Sequence, residues 1–194
     1  MHAFLDTLID EHERILDALT ALHDFARFFA ANEDEPRAPL REFVAFFREY
    51  VDEWHHHKEE DLLFEALFTA GFPKNTGPVA CMNHEHVDGR AHVKSLATIA
   101  NGEGPLSVAE LASLVEVSAD YARMLANHIA KENQMLYPMA QRALGDDALD
   151  VLDARVRADR KAGSLEFERT MARLCATFTA HRAKRAEPVS APQP

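Results

Sequence analysis

The chain is poor in the residues that staple, break or anchor a fold. Its two cysteines, Cys81 and Cys175, stand in no spaced motif, which excludes a disulfide framework and a thiolate metal cluster. They read as reduced, buried thiols. Seven glycines and nine prolines gather between periodic segments, leaving those segments free to run as long helices. No apolar run approaches the ~18 residues of a membrane span. The start, Met1-His2-Ala3-Phe4-Leu5-Asp6, offers neither a basic region nor a signal core. Basic residues are also outnumbered, 21 against 32 acidic ones, and a net charge of −11 argues against the basic face that nucleic acid requires. A cytoplasmic protein without nucleic-acid or membrane partners is expected.

What is present is helical periodicity. Of the 194 residues, 47% are apolar, enough for one domain with a real core. Leu5, Leu8, Ile9, His12, Ile15, Leu16 and Leu19 predict a first helix over about residues 4–30. Asn32-Glu33-Asp34-Glu35-Pro36 is a polar connection. Pro39 suits the start of a second helix running through Phe43, Phe46, Phe47, Tyr50, Val51 and Trp54 toward residue 70. After the breaker-rich stretch 71–78, a third helix carries Val79, Met82, His86, Val93 and Leu96. Ser107-x-x-Glu110 is a capping box that opens a fourth, with Pro138 expected to kink or loosen its last turns. The expectation is an all-α, up-down-up-down four-helix bundle over residues 1–145. Additional C-terminal helices over 146–186 would pack on it, the last through Leu165, Phe167, Met171, Leu174 and Phe178. A Pro-rich disordered tail would follow at 187–194.

Within this pattern two stretches read almost alike. His55-His56-His57-Lys58-Glu59-Glu60-Asp61-Leu62-Leu63-Phe64 aligns with His128-Ile129-Ala130-Lys131-Glu132-Asn133-Gln134-Met135-Leu136-Tyr137. Asp10-Glu11-His12 and His84-Glu85-His86 precede them, 43 and 42 residues upstream as measured between histidines. Residues i and i+4 share a helix face about 6 Å apart along the axis, so His-x-x-x-Glu aims an imidazole and a carboxylate at one point. Three registers are open in the His55-His56-His57 run. Aligning Lys58 on Lys131 selects His55 with Glu59, matching His128 with Glu132. His12 and His86 stand in otherwise apolar stripes. Burying four imidazoles and two carboxylates without a cation would be expensive. His12, His55, Glu59, His86, His128 and Glu132 are therefore the candidate metal ligands. Imidazole with carboxylate suits Fe, Mn or Zn, and two carboxylates able to bridge, with two histidines per metal, describe a dinuclear site with open positions.

These residues resemble the hemerythrin-like (HHE cation-binding) family from Leu8 to about Ala140, most closely at 55–64 and at Glu85-His86-Val87-Asp88-Gly89-Arg90. The resemblance implies a four-helix bundle holding two Fe ions, oxo- or hydroxo-bridged. It carries over to the same six residues, and implies a small diatomic or peroxide ligand. Oxygen-carrying hemerythrins use five histidines, and no fifth stands at helical register here; His56, His57 and His84 are the nearby candidates. A six-ligand set resembles family members linked to iron-centre repair or to peroxide and nitric oxide chemistry. Three functions compete: a redox-active diiron protein meeting O2, H2O2 or NO, an iron storage, donation or sensing module, and an interaction protein with structural metal.

Other residues carry weaker signals. Glu11 and Glu85 are placed either to hydrogen-bond the ligand histidines from outside or on a solvated face. Tyr121, one face with His128, reads as core packing. So do Met82, Met124, Met135 and Met139. His2, His23, His92 and His181 read as surface.

Overall fold

The computed structural model describes residues 1–31 and 35–158, with Arg169 and Ala176 as isolated positions beyond them. The expected last helix, the tail, Asn32-Glu33-Asp34, Cys175 and His181 lie outside the described residues. Helix α1 (Ala3–Asp24) continues as a π-helical turn, Phe25–Phe29. Helix α2 (Arg37–Phe46) passes into two π-helical stretches, Phe47–His56 and Lys58–Phe64, and ends as α3 (Glu65–Thr69). Helix α4 spans Gly77–Ala100. Helix α5 (Val108–Lys131) runs through a π-helical turn, Glu132–Leu136, into α6 (Tyr137–Ala158), which Gly145 breaks with φ 71°. No strand occurs among the described residues.

The predicted ends are set by local chemistry. Ser107 Oγ accepts from the Glu110 N–H at 3.2 Å while Glu110 Oε2 accepts from the Ser107 N–H at 2.8 Å, so the capping box is closed on both sides. Pro78 sits in the first turn of α4, where a missing N–H does no harm. Gly71 takes φ 97° just after α3, and the Phe72 N–H reaches back to the Leu67 carbonyl at 3.0 Å. His2 departs from its surface reading: its Nδ1 caps α1 by accepting from the Phe4 N–H at 3.2 Å. The unanticipated anchor is Arg37, buried, which donates to the Gly104 carbonyl and to Glu110, each at 2.8 Å. It ties the start of α2 to the loop before α5.

The four rods form a closed square: α1 packs against α5 and the second rod, and α4 packs against the same two. Their apolar residues fall into two clusters. One gathers Ile15, Leu19, Phe43, Phe47, Val93 and Leu125. The other gathers Phe4, Leu8, Leu63, Met82, Leu136 and Tyr137, with Leu149 and Leu152 of α6 closing it. Between the clusters lies a buried polar belt. His12 falls between Leu8 and Ile15, His55 and Glu59 between Val51 and Leu63, His86 between Met82 and Val93, and His128 and Glu132 between Leu125 and Leu136. Two residues correct the sequence reading. Met135 is 62% exposed, because it stands on the outward side of the π turn. Cys81 is exposed too, on the face of α4 away from Val79, Met82 and His86.

Candidate metal centre

All six candidate ligands are buried, and they converge. Two donor groups form, one of His12, His55, Glu59 and Glu132, the other of His56, Glu59, His86 and His128, with ligand atoms in each within 4.8 Å of one another. His12 Nε2 faces His55 Nε2 at 3.0 Å, and His86 Nε2 faces His128 Nε2 at 3.1 Å. Glu132 lies 3.3 Å from His12 Nε2 and 3.1 Å from His128 Nε2; Glu59 Oε2 lies 3.5 Å from both His55 and His86. Each carboxylate thus spans both histidine pairs.

The outer ring nitrogens explain why the inner ones point inward. His55 Nδ1–H donates to Glu11 and His128 Nδ1–H to Glu85, each at 2.9 Å. Lys58 clamps Glu11 and Lys131 clamps Glu85. His86 Nδ1–H donates to Glu60 at 2.6 Å and His12 Nδ1–H to Asn133 Oδ1 at 2.8 Å. A carboxylate can only accept, so each ring facing one carries a proton on Nδ1, which leaves Nε2 as the nitrogen able to offer a lone pair to a metal. The repeat is therefore deeper than its ligands: the Lys of each His-x-x-Lys-Glu holds the Glu that precedes the partner histidine. Of the two readings open for Glu11 and Glu85, the structure takes the hydrogen-bonding one. Spacing along one helix cannot show this, because each clamp joins different helices.

Two facing lone pairs repel unless a cation lies between them, and the carboxylates add to the demand. Glu59 Oε2 and both oxygens of Glu132 are buried with no hydrogen-bond partner. Burial and the neighbouring Glu132 charge push the Glu59 carboxyl well above its ordinary range. Burial pushes His55 down to about 4. Burial also opposes charge on His86, but the hydrogen bond its Nδ1–H donates to Glu60 and the nearby Glu132 and Glu59 carboxylates outweigh it and raise the ring to about 9. Protons fill the role there that a metal would take. Imidazole Nε2 and carboxylate oxygen are the donors that suit Fe, Mn or Zn, so the residues present fit a bound metal.

Residues 3–140 match the Hemerythrin HHE cation binding domain. The chain belongs to that family. Its membership implies metal-ion binding, with which the buried His/Glu clusters are compatible. Among curated proteins, uncharacterized proteins of Mycobacterium tuberculosis and Mycobacterium bovis are similar, 23% identical over 133 residues. The match covers 69% of this chain and 51% of each relative, so the chain spans about half their length. No solved structure matches it.

Among the three further candidates, geometry separates one. His57 and His84 are outward, beside Asp61 at 2.6 Å and Asp88 at 3.9 Å. His56 is buried, stacked on His86 with ring centroids 3.8 Å apart, and burial pushes it down to about 3. Alpha-helical spacing hid it. Neighbours on an α-helix diverge by roughly 100°, whereas the wider π turn lets His55 and His56 both face inward. Tyr137 was also missed as a functional residue. Its hydroxyl donates to Glu59 Oε1 at 2.5 Å, and its ring stacks on His12 at 5.6 Å. Its repeat partner Phe64 stacks on His86 at 5.9 Å. Tyr121 packs edge-on against Phe47 at 5.0 Å and stacks on His92 at 5.7 Å, so His92 is partly covered.

Proposed function

We propose that this HHE protein is a cytoplasmic, non-haem diiron protein that binds or reacts with a small oxidant, O2, H2O2 or NO. His12, His55, Glu59, His86, His128 and Glu132 would hold two Fe ions, oxo- or hydroxo-bridged. The carrying observation is the pair of Nε2–Nε2 contacts at 3.0 and 3.1 Å, facing three carboxylate oxygens that no protein donor satisfies. Iron held there would supply electrons and exchangeable coordination positions to a small oxidant. The chain's own residues do the rest. Glu11, Glu60, Glu85 and Asn133 fix the imidazole tautomers and hold the rings in register. Tyr137 holds its hydroxyl oxygen 2.5 Å from Glu59 Oε1, with the proton between them, on the side of His12. Phe4, Leu8, Phe64 and Met82 exclude bulk water from one end of the belt. No described helix is long and apolar enough to cross a membrane.

The test is a visible spectrum of anaerobically iron-loaded protein, recorded before and after air, peroxide and nitric oxide. Bands that change with oxidant are expected. Iron that ignores all three and leaves readily to a chelator would replace this reading with storage, donation or sensing.

A further inference from the structure

A cavity of about 180 Å³ adjoins the centre between the second rod and α4, and its lining differs from the rest of this acidic chain. Val51, Val93 and Tyr121 give it apolar walls; Arg48, Arg90 and Lys94 face it against a single carboxylate, Asp52. Arg90 is bonded to Asp52 and to Glu60, each at 2.7 Å. Arg48 and Lys94 are exposed and make no ion pair with any described residue. Two uncommitted cations thus border a cleft in a chain of charge −11. A cleft of one sign with low-dielectric walls concentrates ions of the opposite sign. His56 belongs both to this lining and to the donor group of Glu59, His86 and His128, so one buried ring separates cavity from centre. The space has room for a few-atom ion with its hydration.

We propose that this cavity is the entry and binding port for a small inorganic anion, admitted past His56 to the half of the centre built from His86 and His128. Arg48 and Lys94 collect the anion, and the Arg90–Asp52 pair holds His56 at the threshold, its Nδ1 3.4 Å from Asp52. The port rests on the dinuclear reading above and adds ligand charge, size and side of approach.

The test uses azide as probe on the iron-loaded full chain, followed by stopped-flow absorbance, with nitric oxide as a neutral comparison. Arg48→Glu combined with Lys94→Glu should keep its iron and slow azide association at low salt by about 10- to 100-fold. The difference should shrink as salt screens it, and the nitric oxide rate should stay within about twofold. Val93→Phe narrows the cavity and should slow both ligands. If that variant loses iron, the charge-reversal pair alone decides. Azide association unchanged in the charge-reversed protein, or unchanged in an iron-replete Val93→Phe protein, overturns the port. Wild-type protein that loads two irons yet gives no azide or nitric oxide bands overturns the port and the oxidant reading together. Normal nitric oxide binding with charge-insensitive azide removes the port alone.

Discussion

The two halves of the centre come from one repeated pattern, and their differences are more informative than their likeness. In one half His12 and His55 meet Asn133, Glu11 and the Tyr137 hydroxyl. In the other His86 and His128 meet Glu60, Glu85 and the His56 ring. Asn133 occupies the repeat position of Glu60, Tyr137 that of Phe64, and Ile129 that of His56. One half is thus uncharged at one of its two outer histidine contacts and hydroxyl-lined; the other is held by an extra carboxylate and a third imidazole. Repetition supplies the donors, while three substitutions make the two donor groups chemically unequal.

The largest test asks whether the halves act as one centre. Glu59→Ala or Glu132→Ala should remove a carboxylate that faces both histidine pairs, dropping metal content from the proposed two ions per chain toward none by elemental analysis. Metal loss from one half alone would break the comparison. Chelation of the wild-type protein should lower stability by roughly 4 kcal/mol where free metal had stood a thousandfold above its Kd. Equal melting temperatures with and without chelator would contradict a buried centre.

A second test compares the clamps. Glu11 is 5% exposed and neutralises buried Lys58, with Trp54 Nε1–H also donating to it at 3.1 Å. Glu85 and Lys131 are more open to water. Glu11→Ala should therefore destabilise by about 3–5 kcal/mol, leaving a buried ammonium unpaired, and Glu85→Ala by about 1 kcal/mol or less. Chemical denaturation of both variants checks the ranking. Equal losses would mean that burial does not distinguish the halves.

Protonation sharpens the contrast further in metal-free protein. His55 is pushed down to about 4, so the unfolded chain takes that proton first, and its contribution to stability falls as pH drops from about 6.5 through 4. His86 is raised to about 9; its contribution is full below 6.5 and is lost as pH rises through 9. Imidazole nitrogen NMR at pH 7 should find His86 cationic and His55 neutral. The opposite assignment would invert the electrostatics described here.

The smallest change in the side chains is Tyr137→Phe, which deletes one hydroxyl and copies the residue of the other repeat. Metal-free protein should lose about 1–3 kcal/mol, because Glu59 Oε1 is left without its donor. Metal stoichiometry should hold at two. A loss of one ion on this change would make the hydroxyl a ligand.

Much of this was legible along the chain. Stripes such as Leu5-Leu8-His12-Ile15 placed the rods, and Ser107 with Glu110 marked a helix start that the structure closes as expected. The doubled His-x-x-x-Glu pattern, with the Glu-His pair upstream of each copy, picked out six side chains that the fold brings together. What stayed hidden depends on groups distant in sequence. Arg37 lies 67 residues from the Gly104 carbonyl it serves, and Glu11 lies 47 from Lys58. Residue type at one position says nothing about an acceptor on another helix.

The sequence by itself determined that helices would form, which faces they would bury and which donors those faces carried, since each follows from spacing within one segment. Only the tertiary structure decided that Glu11 and Glu85 orient histidines, that His56 turns inward while His57 and Cys81 turn out, and that a cationic cleft reaches the centre. Those outcomes depend on a local widening of the helix into π turns and on contacts across the bundle. Both arise when the rods pack, where burial and the pairing of distant charges outweigh what any single segment prefers.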